Sequence, residues 1–579
     1  MKSSDYIVDF LVKKNIKHVF GYQGTMIAHF VDSVCKDARI ENHICYNEQG
    51  AGFAAVGYAK ATGKTAVAYA TSGPGASNLI SAIADAYFDS APVVFITGQL
   101  NTYEYLNIDG LRQNGFQEMD VVSTAQSVTK YCVKITDIAD LRYCLEKAFY
   151  VAENGRPGPV LIDLPMDMQR QEVEHESMRS FEPEENCGYD ADNDAIAKDI
   201  LDRLNRSNAP VLLIGNGIVY GSETHEKVLA FAKKLNIPVI TSMLGRDLMT
   251  YDDPINMGHI GGGYGHRYSN IIAHKKADLI LALGCSLCKR QTTAKTELFA
   301  SGADIIRVDI DPLELARKVH KDEVSFLADC TAVIDSLNRL AGENGKAHDA
   351  WLQKCQKIKE MLTAFDNSCD ERKPNRTMEI LSSTIGKNAV ICCDVGQHQV
   401  WTSQSFHIKE GQQLLFSGGH GAMGFALPAA IGAYYATGCR PIAICGDGAM
   451  QMNIQELQWV VREQIPITIF VLNNNSLGLI VQQQDDMLNS FYAASVKEGG
   501  FTSPDFSQVA AAYGIDSVKI TNDDEFETIM NSADIERPLL VEVMLDSGYR
   551  AYPKTYFGEE MHNQRPYIPE ELMKEILEM

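Results

Sequence analysis

Short apolar runs alternate with helical patterns along almost the entire chain, and this alternation constrains the fold more than any other feature of the sequence. Parallel strands cannot be joined by a tight turn, so each pair needs a long crossover, which is usually a helix. The alternation therefore predicts α/β units with buried parallel strands. The predicted strands lie at 65–70, 93–97 and 160–163, at 210–215, 238–241, 279–284 and 305–310, and at 389–393, 441–445, 467–472 and 539–544.

Two polar stretches divide these strands into three groups. The segment from Gln169 to about Asp190 is acidic and has no apolar period, and a second polar stretch covers 342–348 and 367–375. A chain of 579 residues is also too long for one hydrophobic core. We therefore predict an α/β protein with three consecutive parallel-sheet domains and a C-terminal tail, at residues 1–170, 190–342, 370–548 and 549–579.

The charge and the apolar pattern exclude several classes of partner. The formal net charge of -23 argues against nucleic acid and anionic membranes, because both attract basic patches. No apolar run approaches the ~18 residues that a membrane span needs, and the first residues contain no apolar targeting segment. The sequence thus predicts a cytoplasmic protein that binds neither nucleic acid nor a membrane.

The 14 cysteines fit reduced thiols in a large chain better than a disulfide framework. Cys285 and Cys288 form a C-x-x-C pair, but no second pair of zinc ligands accompanies them in the sequence. Packed thiols are therefore the preferred interpretation of this pair.

Two polar strand ends in the last group form the most informative motif. Gly446-Asp447-Gly448 follows one predicted strand, and Asn473-Asn474 follows the next. Open parallel sheets bind ligands at the carboxyl ends of their strands, so these polar side chains are expected to meet. A carboxylate, an amide oxygen and the backbone carbonyl of Ser476 suit Mg2+, which also takes phosphate oxygens from a ligand. The alternative is a pair of turns that contain Gly, Asp and Asn by chance.

Further distinctive segments lie at 21–24, 46–51, 71–78, 116–118, 396–399, 417–424 and 472–478. In this order and spacing, they resemble the motifs of thiamine-diphosphate-dependent enzymes, and over almost its whole length the chain is similar to the acetohydroxyacid (acetolactate) synthase branch. The resemblance implies a pyrimidine-binding first domain, a central domain and a diphosphate-binding third domain, with thiamine diphosphate and Mg2+ as cofactors. It also implies that each cofactor lies between the first domain of one subunit and the third domain of another, in a homodimer or homotetramer.

The resemblance gives catalytic roles to Glu48, Gln117 and Met423. In the family, the glutamate bonds to the aminopyrimidine ring of the cofactor and favours the tautomer that generates the reactive ylid. The alternative for Glu48 is a carboxylate that stabilises the start of a helix predicted at 50–61. The residue that matches Met423 wedges under the cofactor and holds it bent, whereas its alternative role is core filling. Gln117 matches a family residue that faces the reacting centre from the partner subunit.

The resemblance also assigns the residues that hold the cofactor and its metal. The implied metal ligands are Asp447, Asn474 and Ser476. His398 is expected to make backbone contacts near the diphosphate rather than to act in acid–base catalysis. The implied cofactor-binding residues are Pro74, Asn78, Gln397, His398, Gly421, Met423, Gly446, Asp447, Gly448, Ala449, Asn474, Ser476, Leu477 and Gly478.

The implied substrate pocket consists of Thr25, Met26, Phe116, Lys130 and Gln483. A solvated surface lysine is an equal alternative for Lys130. No His-His pair follows Gln117, where family members that release an aldehyde carry one, and this favours carboligation. By count, Gln483 stands where branched-chain synthases have a pocket tryptophan. A polar wall favours a polar acceptor, such as a nucleotide-linked keto-sugar.

The sequence leaves open whether FAD is bound. Residues 284–290 occupy the flavin-contacting segment of the family but lack its first arginine and both of its acids. Other flavin-side features persist at 215–217, 261–265 and 309–312. The acid-rich segment at 309–312 has a second interpretation as a helix entry with proline in the first turn.

The leading prediction is a thiamine-diphosphate-dependent carboligase that decarboxylates pyruvate and transfers the two-carbon unit to an acceptor carbonyl compound. One alternative is transfer to a nucleotide-linked keto-sugar, and another is a non-ligating 2-oxo acid decarboxylase or oxidase. A third is a cofactor-binding regulatory subunit without activity, against which the intact Glu48, Asp447 and Asn474 argue.

Overall fold

Three six-stranded sheets follow one another along the chain, and every strand pair within them is parallel. The computed structural model describes residues 1–106, 108, 110–174, 176, 178–183, 191–532, 536–556 and 558–579. The sheets confirm the predicted α/β class with three consecutive parallel-sheet domains.

The strands of each sheet are as follows. The first sheet contains β1 (His18–Gly21), β2 (Glu41–Ile44), β3 (Ala66–Ala70), β4 (Val93–Gln99), β5 (Tyr131–Lys134) and β6 (Val160–Pro165), in the order β2-β1-β3-β4-β6-β5. The second contains β7 (Pro210–Ile214), β8 (Val239–Thr241), β9 (Asn256–His259), β10 (Leu279–Leu283), β11 (Asp304–Asp309) and β12 (Val324–Leu327), in the order β12-β11-β10-β7-β8-β9. The third contains β13 (Ala389–Cys393), β14 (Gln413–Phe416), β15 (Arg440–Gly446), β16 (Thr468–Asn473), β17 (Asp516–Ile520) and β18 (Leu539–Met544), in the order β14-β13-β15-β16-β18-β17. The tail adds an antiparallel pair, β19 (Lys554–Thr555) and β20 (Gln564–Arg565).

Helices connect the strands in each domain. In the first they are α1 (Ser3–Lys13), α2 (Ala28–Lys36), α3 (Glu48–Thr62), α4 (Pro74–Phe88), α5 (Val121–Ala125), α6 (Leu141–Glu153) and α7 (Met166–Arg170). In the second they are α8 (Asn193–Arg206), α9 (Glu223–Leu235), α10 (Arg267–Ile271), α11 (Lys289–Thr292), α12 (Pro312–Ala316), α13 (Cys330–Asn344) and α14 (Asp349–Ser368). The remainder are α15 (Lys373–Thr384), α16 (Gln397–Ser405), α17 (Ala426–Thr437), α18 (Asp447–Met450), α19 (Leu457–Glu463), α20 (Gly478–Met487), α21 (Phe506–Tyr513), α22 (Asp524–Ser532) and, in the tail, α23 (Glu570–Glu578).

The segment predicted as a linker, from Gln169 to about Asp190, begins inside the first domain. Gln169 is fully buried at the end of α7, and its side-chain amide is hydrogen-bonded to three backbone groups of that domain. Val173 and Met178 pack into the same core. The polar composition suggested a linker, but the Gln169 side chain is hydrogen-bonded to buried backbone groups and does not face solvent. Residues 184–190 lie outside the described part of the chain.

The core of the central domain continues beyond residue 342. Helix α14 packs Trp351, Cys355 and Ile358 into this core, and the Trp351 indole N–H donates to the carbonyl oxygen of Pro210. The C-terminal tail, whose order the sequence did not settle, returns to the same domain and buries Ile576 of α23 there.

Helices α3 and α17 pack the first domain against the third within one chain. A Cβ on Gly57 would lie 2.2 Å from the Ala429 carbonyl oxygen, and one on Gly432 would lie 1.9 Å from that of Ala54. Real Cβ atoms do not approach backbone oxygens so closely, so the helix crossing depends on residues without side chains at these two positions.

A buried ion network lies across the same interface. Lys60 Nζ donates to Asp85 Oδ2 at 3.2 Å and to Asp89 Oδ2 at 2.6 Å. The Asp89 carboxylate also accepts from the backbone N–H groups of Gly418 and Gly419 in the third domain. Burial alone would lower the pKa of Lys60, but the two carboxylates raise it, so the ammonium stays charged in the interior.

Two further expectations concern membrane spans and thiols. No described helix combines the length and the apolar character of a membrane span. Every cysteine that the structure describes is a free thiol, and Cys187 lies outside the described residues.

Candidate active site

The polar ends of β15 and β16 meet at one place. Asp447 opens α18 directly after β15, and Asn474 directly follows β16, its neighbour in the sheet. The Ser476 N–H donates to Asp447 Oδ2 at 3.1 Å and to Asn474 Oδ1 at 3.2 Å. Both side-chain oxygens therefore lie beside the same N–H group at this strand end, and oxygens placed so are available to a cation as well. Burial raises the pKa of Asp447 to about 6, an effect that a bound cation would oppose.

Gln397 determines which atom of Asn474 faces this position. Gln397 Nε2 donates to the Tyr549 carbonyl oxygen at 3.0 Å, which leaves Gln397 Oε1 to accept from Asn474 Nδ2 at 3.0 Å. Asn474 Oδ1 is thereby turned toward the Ser476 N–H and the candidate metal position. The sequence pointed to Gln397 as a cofactor residue but not to this orienting role, because Tyr549 lies in the tail.

His398 is enclosed beneath the same strand end. A Cβ on Gly446 would lie 2.8 Å from the His398 ring, so the imidazole packs directly against that backbone. Burial lowers the pKa of His398 to about 3, and among the described residues its Nε2 has no hydrogen-bond partner. A neutral, enclosed ring is suited to shaping this loop and not to moving protons at neutral pH.

Met423 and Leu477 form the apolar side of the site. A Cβ on Gly448 would lie 2.6 Å from Leu477 Cδ2 and 3.3 Å from Met423 Cε, so both side chains reach the main chain of the Gly-Asp-Gly motif. Met423 is only half-buried in the single chain. The other implied cofactor residues of this domain lie in the surrounding loops and helix starts, namely Gly421, Gly446, Ala449 and Gly478.

Asp394 supports the Met423 loop, and the sequence analysis missed it. Its Oδ1 accepts from the Gly424 N–H at 2.9 Å, and its Oδ2 accepts from the Ala426 N–H at 2.8 Å. Burial raises the pKa of Asp394 to about 6. The signal that identifies Asp447 also fits Asp394, because it is an acid directly after a parallel strand, β13.

Glu48 is the first residue of α3 and is 8% exposed. Asn78 Nδ2, on α4, donates to Glu48 Oε2 at 2.9 Å and so orients the carboxylate. A negative charge at the start of a helix is also favourable, so the structure agrees equally with the alternative role of Glu48 in stabilising α3. Asn78, implied as a cofactor residue, therefore holds the glutamate in place within this chain.

The loop that carries Phe116 and Gln117 crosses the start of α4. Gln117 has a left-handed backbone with φ of +63°, and its carbonyl oxygen lies 2.5 Å from where a Cβ on Gly73 would be. A left-handed non-glycine residue costs roughly 1–3 kcal/mol and is typical of functional loops. Pro74 begins α4 beside this contact, and Phe116 is 79% exposed.

Thr25 and Met26 reach the same edge of the first sheet. They form a short 3-10 turn after β1, and the Met26 N–H donates to Thr71 Oγ1 at 3.3 Å. Thr71 directly follows β3 and precedes the Gly73–Pro74 turn. The structure thus brings these two residues close to the Glu48 side of the site.

Lys130 lies away from Glu48 within the single chain. It precedes β5 and therefore stands at the edge where the strands of the first sheet begin, whereas Glu48 stands where they end. Its ammonium group donates to the carbonyl oxygens of Val151 and Asn154 at the end of α6. Burial lowers the pKa of Lys130 to about 8. The physical reason is that the helix end offers the lysine unpaired carbonyl groups.

Gln483 differs from the glutamines beside it on α20. Gln482 is buried and bonds to both backbone groups of Ala551, and Gln484 is buried and bonds to the Ala493 carbonyl. Gln483 is exposed, and its side chain forms no hydrogen bond with another described residue. Its amide group is therefore free to meet a ligand or solvent.

Glu48 and the Asp447–Asn474 pair follow strands of different sheets, Glu48 in the first sheet and the pair in the third. No hydrogen bond or ion pair between described residues joins Glu48 to Asp447 or Asn474. The turn before Glu48 instead contacts the third domain through Glu456, whose carboxylate accepts from the Tyr46 N–H at 3.1 Å. No sequence pattern pointed to Glu456, because a lone acid near a helix start is common.

All the flavin-side features line one cavity between the domains, with a volume of about 940 Å³. Arg290 lines it too, but its guanidinium donates to the Gly418 carbonyl and to Gln399 Oε1. The segment at 309–312 is also a helix entry, as its second interpretation stated, because Asp311 caps α12 and Pro312 is its first residue.

Comparisons with known proteins agree with this arrangement. Family models for the N-terminal TPP binding domain, the central domain and the C-terminal TPP binding domain of thiamine pyrophosphate enzymes match residues 1–124, 197–337 and 394–543. The chain is 34% identical over 560 residues to acetolactate synthase 1, chloroplastic, of Zea mays, covering 94% of this chain and 85% of that protein. It is 33% identical over 554 residues to the acetolactate synthase isozyme 1 large subunit of Escherichia coli (strain K12), covering 95% of each. The acetolactate synthase large subunit of Lactococcus lactis subsp. lactis (strain IL1403) is 32% identical over 553 residues, covering 95% of this chain and 93% of that protein.

Proposed function

Because the chain belongs to the thiamine pyrophosphate enzymes, and within them to the acetolactate synthase family, we propose that it decarboxylates pyruvate and transfers the two-carbon unit to an acceptor carbonyl. The observation that carries this proposal is the convergence of Asp447 Oδ2 and Asn474 Oδ1 on one position at adjacent strand ends. An inactive regulatory subunit has no need of that geometry. The absence of a His-His pair after Gln117 supports ligation over simple decarboxylation.

Thiamine diphosphate, when bound, supplies the carbanion chemistry that decarboxylation of a 2-oxo acid requires. The residues of the chain would bind and orient it. Glu48 offers a buried carboxylate, held by Asn78, to a ring nitrogen. Met423 offers uncharged bulk beside Gly448, and Gln117 offers an amide on a strained loop.

Mg2+ fits the oxygen atoms at the end of β15 and β16. Asp447 and Asn474 would each give one side-chain oxygen, and Ser476 would give its backbone carbonyl. Ser476 Oγ is buried, and the described residues offer it no hydrogen-bond partner, so a phosphate oxygen or a metal-bound water would satisfy it. The donors present therefore suit a metal–diphosphate group.

FAD is the candidate ligand of the central cavity. A volume of about 940 Å³ lies near the upper end of the range for cofactor sites, and residues of three glycine-rich segments line it. The loss of the two family acids at 284–290 means that other groups would have to hold the flavin. Flavin fluorescence of the supernatant after denaturation, measured per chain, tests this assignment.

We propose that a second copy of the chain completes each site, with Glu48 from one subunit and Asp447 from the other. Mixing the inactive variants Glu48→Gln and Asp447→Ala, with dissociation and reassociation, is expected to restore activity to about a quarter of the wild-type value. Half of randomly reassorted dimers are mixed, and each mixed dimer has one site with both residues intact. Activity that stays at the level of the separate variants would place both residues in the same subunit's site.

The product of pyruvate turnover is the direct test of the function. Mass spectrometry of products from pyruvate alone, and then with a panel of keto acids and keto-sugars, identifies the acceptor. A ligated product supports the proposal. Free acetaldehyde as the sole product, or oxygen consumption without ligation, would favour a decarboxylase or an oxidase.

The exposed amide of Gln483 supports a polar acceptor. We expect wild-type protein to prefer such an acceptor over 2-oxobutyrate, and Gln483→Trp to shift the preference toward small keto acids by roughly 1–3 kcal/mol. The reason is that a polar wall leaves an unpaired group when an apolar acceptor binds. The ratio of kcat/KM values for competing acceptors measures this shift.

Met487→Trp is the matched control, because Met487 is also exposed on α20 but lies one turn farther from the strand end. It should leave the acceptor ratio unchanged. If Gln483→Trp, folded and cofactor-bound, keeps the wild-type ratio, Gln483 does not line the pocket.

A further inference from the structure

Two histidines and a glutamate converge at a corner of the first sheet that the proposed chemistry does not use. His18 and Glu41 are register partners at the start of β1 and β2, and His43 lies two residues after Glu41 on the same face of β2. This corner is where the strands begin, whereas Glu48 stands beyond their carboxyl ends.

The three ligand atoms form a compact triangle. His18 Nδ1 lies 3.0 Å from His43 Nε2 and 3.5 Å from Glu41 Oε2, and His43 Nε2 lies 3.8 Å from Glu41 Oε2. Around a tetrahedral zinc ion with bonds of about 2.0–2.2 Å, ligand atoms are about 3.3–3.5 Å apart. The observed triangle is therefore close to the size that one zinc ion needs.

Residues behind His43 fix the orientation of its ring. His43 Nδ1 lies 3.3 Å from Glu463 Oε2, and Arg462 and Tyr435 bind the same carboxylate. Because a carboxylate only accepts, Nδ1 carries the proton and the Nε2 lone pair faces His18 and Glu41. A carboxylate behind a metal-binding histidine is the usual outer arrangement of zinc sites. The Tyr435 ring, 3.9 Å from that of His43, further restricts its orientation.

We propose that His18 Nδ1, His43 Nε2 and the Glu41 carboxylate bind a divalent zinc-type ion, with a water molecule as fourth ligand. Two imidazoles and one carboxylate favour zinc over Mg2+, which prefers oxygen atoms. Binding needs no net change of protons, since the His18 proton can move from Nδ1 to Nε2. The ion would tie the β1–β2 corner to α19 of the third domain through His43 and Glu463.

A similar trio elsewhere in the chain lacks these properties and serves as a comparison. His274, Glu560 and His562 also lie close together. However, His274 Nδ1 accepts from the Ala300 N–H, so its Nε2 carries the proton and faces Glu560. Lys275 Nζ also lies 2.6 Å from Glu560 Oε2. Protein hydrogen bonds thus occupy His274 and Glu560, while His562 Nδ1 has no hydrogen-bond partner among the described residues.

The test is zinc content per chain in untagged full-length protein. The protein is saturated with thiamine diphosphate and Mg2+, so that the Asp447 site stays occupied, and is then dialysed against Zn2+ and against metal-free buffer. We expect about one zinc per chain in wild-type protein and in Glu560→Ala, and less than about a tenth as much in Glu41→Ala. Glu463→Gln should raise the Kd for zinc ~10–100-fold.

Glu41→Ala is expected to fold normally, because the Glu41 side chain is 67% exposed. It should keep wild-type turnover but lose the rise in Tm that zinc gives the wild type. This separates failure of the zinc site from failure of the proposed function. Wild-type protein without zinc, or Glu41→Ala with wild-type zinc content, would overturn the proposal.

Replacement of zinc by Co2+ distinguishes this site from thiol ligands such as Cys285 and Cys288. Two imidazoles and a carboxylate should give tetrahedral visible bands without a sulfur-to-cobalt charge-transfer band in the near ultraviolet. Such a charge-transfer band would assign the metal to cysteines and refute the proposed ligands.

Discussion

Glu48→Gln is expected to lower turnover at least ~100-fold, because a positioned proton-transfer partner contributes about 10²–10⁴ in rate. The glutamine would still accept from Asn78 Nδ2, which now lies 2.9 Å from Glu48 Oε2, so the fold and the cofactor affinity should change little. Only the charge at the start of α3 is lost, at a cost of about 0.3–1 kcal/mol in stability. Steady-state turnover of cofactor-saturated protein measures the effect.

Glu153→Gln is the matched control for this substitution. Glu153 also accepts a hydrogen bond from a neutral donor in the first domain, from Thr65 Oγ1 at 2.6 Å, but at the opposite edge of the sheet. Its turnover should stay within about twofold of the wild-type value, since surface and edge substitutions have small effects. Near-wild-type turnover of Glu48→Gln would remove the central claim of the proposed function.

The sequence predicted the interior strands well and the edge strands poorly, for a physical reason. Interior strands such as β3 and β4 are buried on both faces, so they are continuous apolar runs. Edge strands such as β5, β12 and β17 are only half-buried and carry no such run. The three domains were predictable because they depend on the interior strands alone.

The site was predictable where polar residues directly follow neighbouring strands. It was not predictable where side chains from distant parts of the sequence meet. Asp447 and Asn474 follow neighbouring strands, so topology alone brings them together. The role of Gln397 in orienting Asn474 depends on a carbonyl group in the tail, which no local pattern reveals. The carbonyl partners of Lys130 at the end of α6 were likewise not predictable, because no local pattern reveals them.

The proposed site pairs Glu48 of one subunit with Asp447 of another. Glu48 and Asp447 occupy the carboxyl ends of different sheets, and no hydrogen bond or ion pair of the described residues joins them. A second copy would bring the Glu48 carboxylate to one end of the cofactor and leave the metal ligands at the other. The proposed complementation of the two inactive variants tests this geometry directly.

Asp447→Ala is expected to abolish Mg2+-dependent retention of thiamine diphosphate and to raise its Kd at least ~100-fold. Loss of an outer partner of a metal ligand already costs about 10–100-fold in affinity, and Asp447 would be a direct ligand with the only full negative charge in the set. Without it, the metal would keep Asn474 and Ser476 alone against an anionic diphosphate. Cofactor content per chain, measured after gel filtration with and without a chelator, gives the result.

Two further variants separate metal binding from folding. Asp447→Asn keeps an oxygen that can accept from the Ser476 N–H, now 3.1 Å away, but removes the charge, so it should fold normally and still lose the cofactor. Asp516→Ala removes an exposed acid of the same domain, paired only with Arg537 at the surface, and should retain the cofactor. If Asp447→Ala holds thiamine diphosphate stoichiometrically after chelator treatment, the convergent oxygens of Asp447 and Asn474 are not a metal site. The diphosphate would then have to be held by backbone N–H groups at the start of α18, where the helix dipole alone favours an anion.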